Sequence, residues 1–234
     1  MTLSMHHRRA LILAAALCWL GVAVIALAVH GGHAEALDRT GLLFWRDDTL
    51  EPLGPVKLLE AVRDVTALGG VLLRNLFAIG TIVALLFLRQ RREALLFALT
   101  VMVSWLVNSA LKALVGRPRP EIVPHLTEAG GNSFPSGHSF NAAVIYIAMA
   151  LAFGAMSNRP SVRRTLIGAA LFGTLAIAWS RVWLGVHWPS DVVAGWLGGA
   201  GWAFLANALF QRPAQLAAEA VSALDSPPEP SPKH

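Results

Sequence analysis

The sequence is short of charge. Only 14% of its 234 residues are Asp, Glu, Lys or Arg, against about a quarter in a soluble domain. With 55% hydrophobic residues and a mean hydropathy of +0.55, much of the surface must face something other than water. Cysteine is nearly absent. Cys18 stands alone, which excludes an intramolecular disulfide and a multi-cysteine metal site and leaves the compartment open. No internal repeat is visible. The net charge of +5 would suggest a nucleic-acid partner in a soluble chain. Here the basic residues gather at the ends of apolar runs, the pattern of membrane topology, so no nucleic acid is expected.

What the sequence does contain is six apolar runs: Ala10 to Val29, Gly70 to Leu88, Ala94 to Leu114, Ser139 to Met156, Leu166 to Trp179 and Val192 to Phe210. A membrane-spanning helix needs about 20 apolar residues, and the fifth run reaches that length if Arg164 and Arg181 snorkel to the two interfaces. Backbone groups in hydrocarbon must be satisfied internally. The expected fold is therefore all-α, a polytopic six-transmembrane-helix bundle over residues 1–211. Arg8 and Arg9, Arg89 to Arg92, Arg159 to Arg164, and Arg212 fall on one side, which the positive-inside rule makes cytoplasmic, with both termini. The outer segments are then 30–69, 115–138 and 181–191. In the first, Leu42-Leu43-Phe44-Trp45 suggests an interfacial helix. Residues 212–234, rich in Pro and Ser at their end, have the composition of a disordered cytoplasmic tail. Ala34-Glu35-Ala36 after the first run also fits a signal-peptidase site. A run of about 20 residues exceeds the usual signal core of about 7 to 15, so a retained span is expected.

Basic residues on the disfavoured outer side, Lys112, Arg117, Arg119 and Arg181, are the first sign of chemistry. Lys112, Arg119 and Arg181 would repel one another unless an anion sat between them; Arg holds phosphate oxygens in a planar fork and Lys acts as a point charge. Singly, each also fits an interfacial snorkelling cation. Ser136-Gly137-His138 precedes the fourth run. Ser136 is a good N-cap, a helix N-terminus suits an anion, and Gly137 lets backbone approach an oxygen closely. The plain alternative is a capped helix with an interfacial His. In the third stretch Pro189 favours the first position of a helix. Asp191 then lies in its first turn, in reach of His187. A carboxylate on one ring nitrogen leaves the other as a nucleophile, although a local His–Asp pair capping the helix explains the spacing too. His138, His187 and Asp191 are acceptable metal ligands by type. Three neighbouring cations would repel a divalent ion, and the set suits metal-free phosphoryl transfer better.

These stretches resemble the signature of the type 2 phosphatidic acid phosphatase family: Lys112, six residues, Arg119-Pro120; Pro135-Ser136-Gly137-His138; Ser180-Arg181, five residues, His187, three residues, Asp191. Arg63-Asp64-Val65-Thr66-Ala67-Leu68-Gly69-Gly70 also resembles a stretch before the second span of bacterial members. The resemblance implies a lipid phosphatase with no cofactor. In it His187 attacks phosphorus, Asp191 orients His187, and His138 protonates the leaving oxygen and then activates water. Lys112, Arg119, Arg181, Ser136 and Gly137 hold the phosphate. Undecaprenyl diphosphate, phosphatidylglycerophosphate and phosphatidic acid are the expected substrates, at the outer face of a bacterial inner membrane. A phosphotransferase on the same scaffold is the alternative. A transporter or scaffold is a distant one, since Asn75, Asn108, Asn141 and Asn207 are too few to trace a polar path. Gly195 and Gly199 form a GxxxG expected to pack helices within the chain; the oligomeric state is left open.

Overall fold

A chain this apolar must close its backbone hydrogen bonds locally, and the computed structural model has no strand among the residues it describes. It describes residues 5–224, with side chains over 8–209. Eight helices follow in order: α1 (Met5–His30), α2 (Glu35–Leu43), α3 (Val56–Leu68), α4 (Val71–Phe87), α5 (Arg91–Val115), α6 (Gly137–Ala155), α7 (Pro160–Trp183) and α8 (Pro189–Leu224). Five of them (α1, α5, α6, α7 and α8) are long and apolar enough to cross a membrane. The second expected run, Gly70 to Leu88, is α4, which at 17 residues reaches the length of a span only together with α3, from which it is bent by 45° at Gly69 and Gly70. Two residues without side chains let the chain turn where it meets the bundle, and a Cβ on Gly69 would stand 3.3 Å from Cδ2 of His138.

Helices α6 and α8 form the centre. Small residues bring their backbones together: a Cβ on Gly195 would lie 2.6 Å from the Ser136 carbonyl oxygen, and Gly199 lies against Phe140. The GxxxG thus works within the chain. Helix α1 lies along α8, with Gly201 against Cys18 and Trp19 and Gly21 against Leu197. The outward faces keep their large apolar side chains exposed, among them Leu13, Leu20 and Leu27 on α1, Leu72 and Phe87 on α4, and Met102 and Leu106 on α5. Such faces belong against lipid.

Three expectations change. Arg181 does not snorkel; it is 2% exposed and turns into the bundle, and α7 gains its length by starting at Pro160, a residue suited to the first helical position. Leu42 is fully buried, packed with Val123, Ala178, Val182 and Val192. Trp45 meets Trp179 edge-on at 5.4 Å, while Phe44 stays exposed. The Leu42–Trp45 cluster thus packs onto the core, apart from Phe44. Helix α8 runs on to Leu224, because 214–224 is rich in Ala and Leu, strong helix formers. Of the tail expected to lack structure, residues 225–234 lie outside the described residues.

Candidate active site

One end of the bundle is built around a tight connection between α7 and α8. Gly185 takes a left-handed φ of 78°, and a Cβ there would approach the Pro124 carbonyl oxygen to 2.7 Å. Glycine alone suits such a turn. The turn sends His187 inward, 2% exposed. Pro189 then opens α8 and places Asp191 in its first turn, where its Oδ2 accepts from the Trp188 amide at 3.0 Å.

His187 Nδ1 is 3.6 Å from Asp191 Oδ2, beyond direct hydrogen-bond range. Ser133 fills the gap. Its Oγ is 3.2 Å from Nδ1 and donates to Asp191 Oδ2. On the far side, Nε2 is 3.0 Å from Arg119 Nη1. A guanidinium only donates, so Nε2 presents its lone pair and the ring proton belongs on Nδ1, facing Ser133. Burial pushes the His187 imidazole down to about 4, against the pull of Asp191 and with help from Arg119 and Arg181. The ring is neutral at ordinary pH.

Around Nε2 stand the cations. Arg119 also donates to the carbonyls of Val186 at 2.7 Å, Gly130 at 2.8 Å and Gly131 at 3.1 Å, which fixes its fork in place. Burial lowers its pKa and the charge of Asp191 raises it. Lys112, in the last turn of α5, donates to the Asn132 carbonyl at 2.6 Å. Arg181 donates to Thr66 Oγ1 at 3.0 Å, and its Nε has no partner. None of the three has a carboxylate within 4 Å among the described residues. Unpaired positive charge in a partly buried site attracts an anion.

The N-terminus of α6 faces the same point. Ser136 is its cap, accepting from the Ser139 amide at 3.5 Å and the Ser139 hydroxyl at 3.0 Å. Gly137 begins the helix, and a Cβ on it would come within 3.7 Å of Lys112 Cε. His138 is half-buried in the first turn, within electrostatic reach of Arg181, His187 and Arg119. The structure thus brings His187, His138, Asp191, Lys112, Arg119, Arg181, Ser136 and Gly137 to one end of the bundle.

Other residues of the site were not singled out from the sequence. Ser133 is one. Arg117 is another, expected only as a basic residue on the outer side. It donates to Asp191 Oδ1 at 2.7 Å, to Asp38 Oδ2 at 2.6 Å and to Ser190 Oγ at 2.8 Å. Asp38, on α2 and 1% exposed, also accepts from the Ser190 amide at 2.8 Å. Helix α2 thereby clamps the start of α8. No spacing links residue 38 to residue 191; the one available signal was Arg117 standing beside Arg119 on the disfavoured side. Asn108, half-considered as a polar span residue, lies with its amide 3.4 Å from where a Gly137 Cβ would be.

Comparison with known proteins agrees with this geometry. The model of the PAP2 superfamily matches residues 93–214, more than half of the chain. Phosphatidylglycerophosphatase B of Bacillus subtilis is 34% identical over 59% of this chain and 68% of its own length. A lipid A 1-phosphatase of Rhizobium johnstonii is 34% identical over 48% of this chain and 46% of its own. An undecaprenyl-diphosphatase of Sulfolobus acidocaldarius is 26% identical over 53% and 59%. The crystal structure of a transmembrane PAP2-type phosphatidylglycerolphosphate phosphatase from Bacillus subtilis superposes with a TM-score of 0.73 at 26% identity, covering 85% of this chain and 96% of that one. The site lies within or beside the matched region and carries every signature position, and the chain belongs to the PAP2 superfamily.

Proposed function

We propose that this membrane lipid phosphatase acts through a phosphohistidine on His187, with phosphate-bearing lipids reaching the site from the outer leaflet of a bacterial inner membrane. One observation carries the reading: a neutral, buried imidazole turns Nε2 toward Arg119, at the end of the bundle where Arg119, Lys112 and Arg181 have no carboxylate within 4 Å among the described residues. In the first step Nε2 attacks phosphorus. The bond from phosphorus to the lipid oxygen breaks, its electron pair stays on that oxygen, and His138 supplies the proton. Asp191, through Ser133, stabilises the charge gained by the His187 ring. In the second step a water oxygen attacks the phosphohistidine, gives a proton to His138, and displaces Nε2 with the electron pair of the nitrogen–phosphorus bond. Lys112, Arg119, Arg181, Ser136 and the Gly137 amide hold the phosphate oxygens; positioning and charge stabilisation dominate phosphoryl transfer.

Undecaprenyl diphosphate, phosphatidylglycerophosphate and phosphatidic acid are the proposed substrates, with the isoprenoid diphosphate favoured. The test is phosphate release by the purified protein in detergent with EDTA, beside His187→Ala, on these three lipids. EDTA-resistant release that vanishes in the variant supports the reading, and the panel ranks the substrates. A variant as active as wild type sinks the mechanism. No release from any lipid by folded wild type redirects the reading to phosphate transfer onto another lipid.

A further inference from the structure

Arg74 is a buried cation that the chemistry above leaves unused. It lies on the first turns of α4, 8% exposed, in a helix whose surroundings are hydrocarbon. Among the described residues it has neither a hydrogen-bond partner for its side chain nor a carboxylate within 4 Å. An ionisable residue in such a place is costly and marks a functional path by default. Its direction is set by the face it shares. Arg74, Ala78, Thr81 and Leu85 are the buried residues of α4, and Ala78 and Leu85 pack with Ile145 of α6. Arg74 is therefore the outermost member of the face that meets α6. Just before α4, a Cβ on Gly69 would lie 3.3 Å from Cδ2 of His138, and the Leu68 carbonyl accepts from the Tyr146 hydroxyl at 2.7 Å. Arg74 lies within electrostatic reach of both the His138 ring and the Tyr146 phenol. It approaches α6 from α4, whereas Lys112 and Arg119 belong to α5 and the loop after it.

We propose that Arg74 forms a second anion subsite on the leaving-group side of His138, which takes the phosphate adjoining the one that is transferred. The inference rests on the phosphatase reading and deepens it. When a lipid diphosphate reacts, the bond between the terminal phosphorus and the bridging oxygen breaks, and the electron pair goes to that oxygen. His138 protonates the oxygen, and the departing lipid monophosphate carries its remaining charge on oxygens beside His138. A fixed guanidinium there stabilises those oxygens. A lipid monophosphate leaves as a neutral alcohol and makes no such demand. Arg74 thus sets a preference for diphosphate over monophosphate, without being needed for attack on phosphorus.

The experiment compares one isoprenyl tail carrying either a diphosphate or a monophosphate, using the full chain purified in detergent, with wild type, Arg74→Gln and Arg74→Lys. Arg74→Gln is expected to lower kcat/KM for the diphosphate about 10- to 100-fold, the scale of one charge-assisted contact, and to leave the monophosphate within about threefold. Arg74→Lys should restore part of the loss. An equal fall on both substrates, or no fall on either, overturns the proposal. If Arg74→Gln does not fold, inhibition of wild type decides: pyrophosphate should compete at least about tenfold more tightly than orthophosphate, and equal competition overturns the subsite. A wild type that releases phosphate from neither lipid refutes the phosphatase reading itself, a result distinct from any behaviour of the Arg74 variants.

Discussion

At the scale of single residues, the His187 environment makes a signed prediction. Its folded pKa of about 4 lies below the ordinary value of about 6.5. Between the two, the unfolded chain binds more protons than the folded one. The contribution of His187 to stability is therefore complete above about pH 6.5 and is lost as pH falls toward 4. For the same reason kcat/KM should show no loss near pH 6.5 from this ring, and an acid limb only near pH 4; a limb at 6.5 that vanishes in no other variant would contradict the buried neutral imidazole. Ser133 offers a sharper test. It stands between Nδ1 and the carboxylate, so Ser133→Ala should lower kcat by about 10- to 100-fold with little change in KM, while Asp191→Asn, which also misdirects the ring proton, should cost on the order of 10⁴-fold. Steady-state kinetics on one lipid separates the two.

Elements impose their own constraints, and the contact of α6 with α8 is the most demanding. Ser136 caps α6 and its carbonyl oxygen lies where a Cβ on Gly195 would fall, 2.6 Å away. Gly195→Ala must therefore push the two helices apart, at a cost of about 1–3 kcal/mol for overpacking, and move the phosphate cradle with them. Thermal unfolding in detergent should show a lower midpoint, and activity should fall with it. Gly80→Ala on α4 is the control. A Cβ there meets nothing within 4 Å, so the variant should unfold no earlier than wild type. Helix α2 acts through a different physical term. Asp38 binds Arg117 and the start of α8, and removing it breaks one of the two ion pairs of Arg117 and leaves the Ser190 amide and hydroxyl without their acceptor, at about 1–3 kcal/mol. Asp38→Ala should lower the unfolding midpoint and reduce kcat, because Arg117 also holds Asp191.

The whole molecule presents its chemistry at one end, with the basic connections at the other. That polarity makes orientation testable. In a Cys18→Ala background, Asp48→Cys lies in the connection between α2 and α3 on the site's side, and Ser161→Cys lies at the opposite end of the bundle; both positions are exposed. A thiol reagent that cannot cross membranes should label the first and spare the second when added to intact spheroplasts. The reverse pattern would put the site in the cytoplasm and refute the proposed entry of lipid from the outer leaflet.

What the sequence determined by itself is what depends on local periodicity and local spacing. Run length and hydropathy specified the spans, because a helix in hydrocarbon satisfies its own backbone. Pro189 and Asp191 specified how α8 begins, and Ser136 how α6 begins, because caps act within one turn. The signature positions stood out because cations and histidines at span ends are conspicuous against apolar neighbours. Only the tertiary structure decided which distant groups meet. Asp38 reaches Arg117 across 79 positions, Thr66 reaches Arg181 across 115, and Arg74 comes to lie on the face of α4 that meets α6. Nothing in the local sequence encodes these contacts. They arise because α2, α3 and α4 close over the outer ends of α6, α7 and α8, and because a polar group carried into that interior must find a partner there.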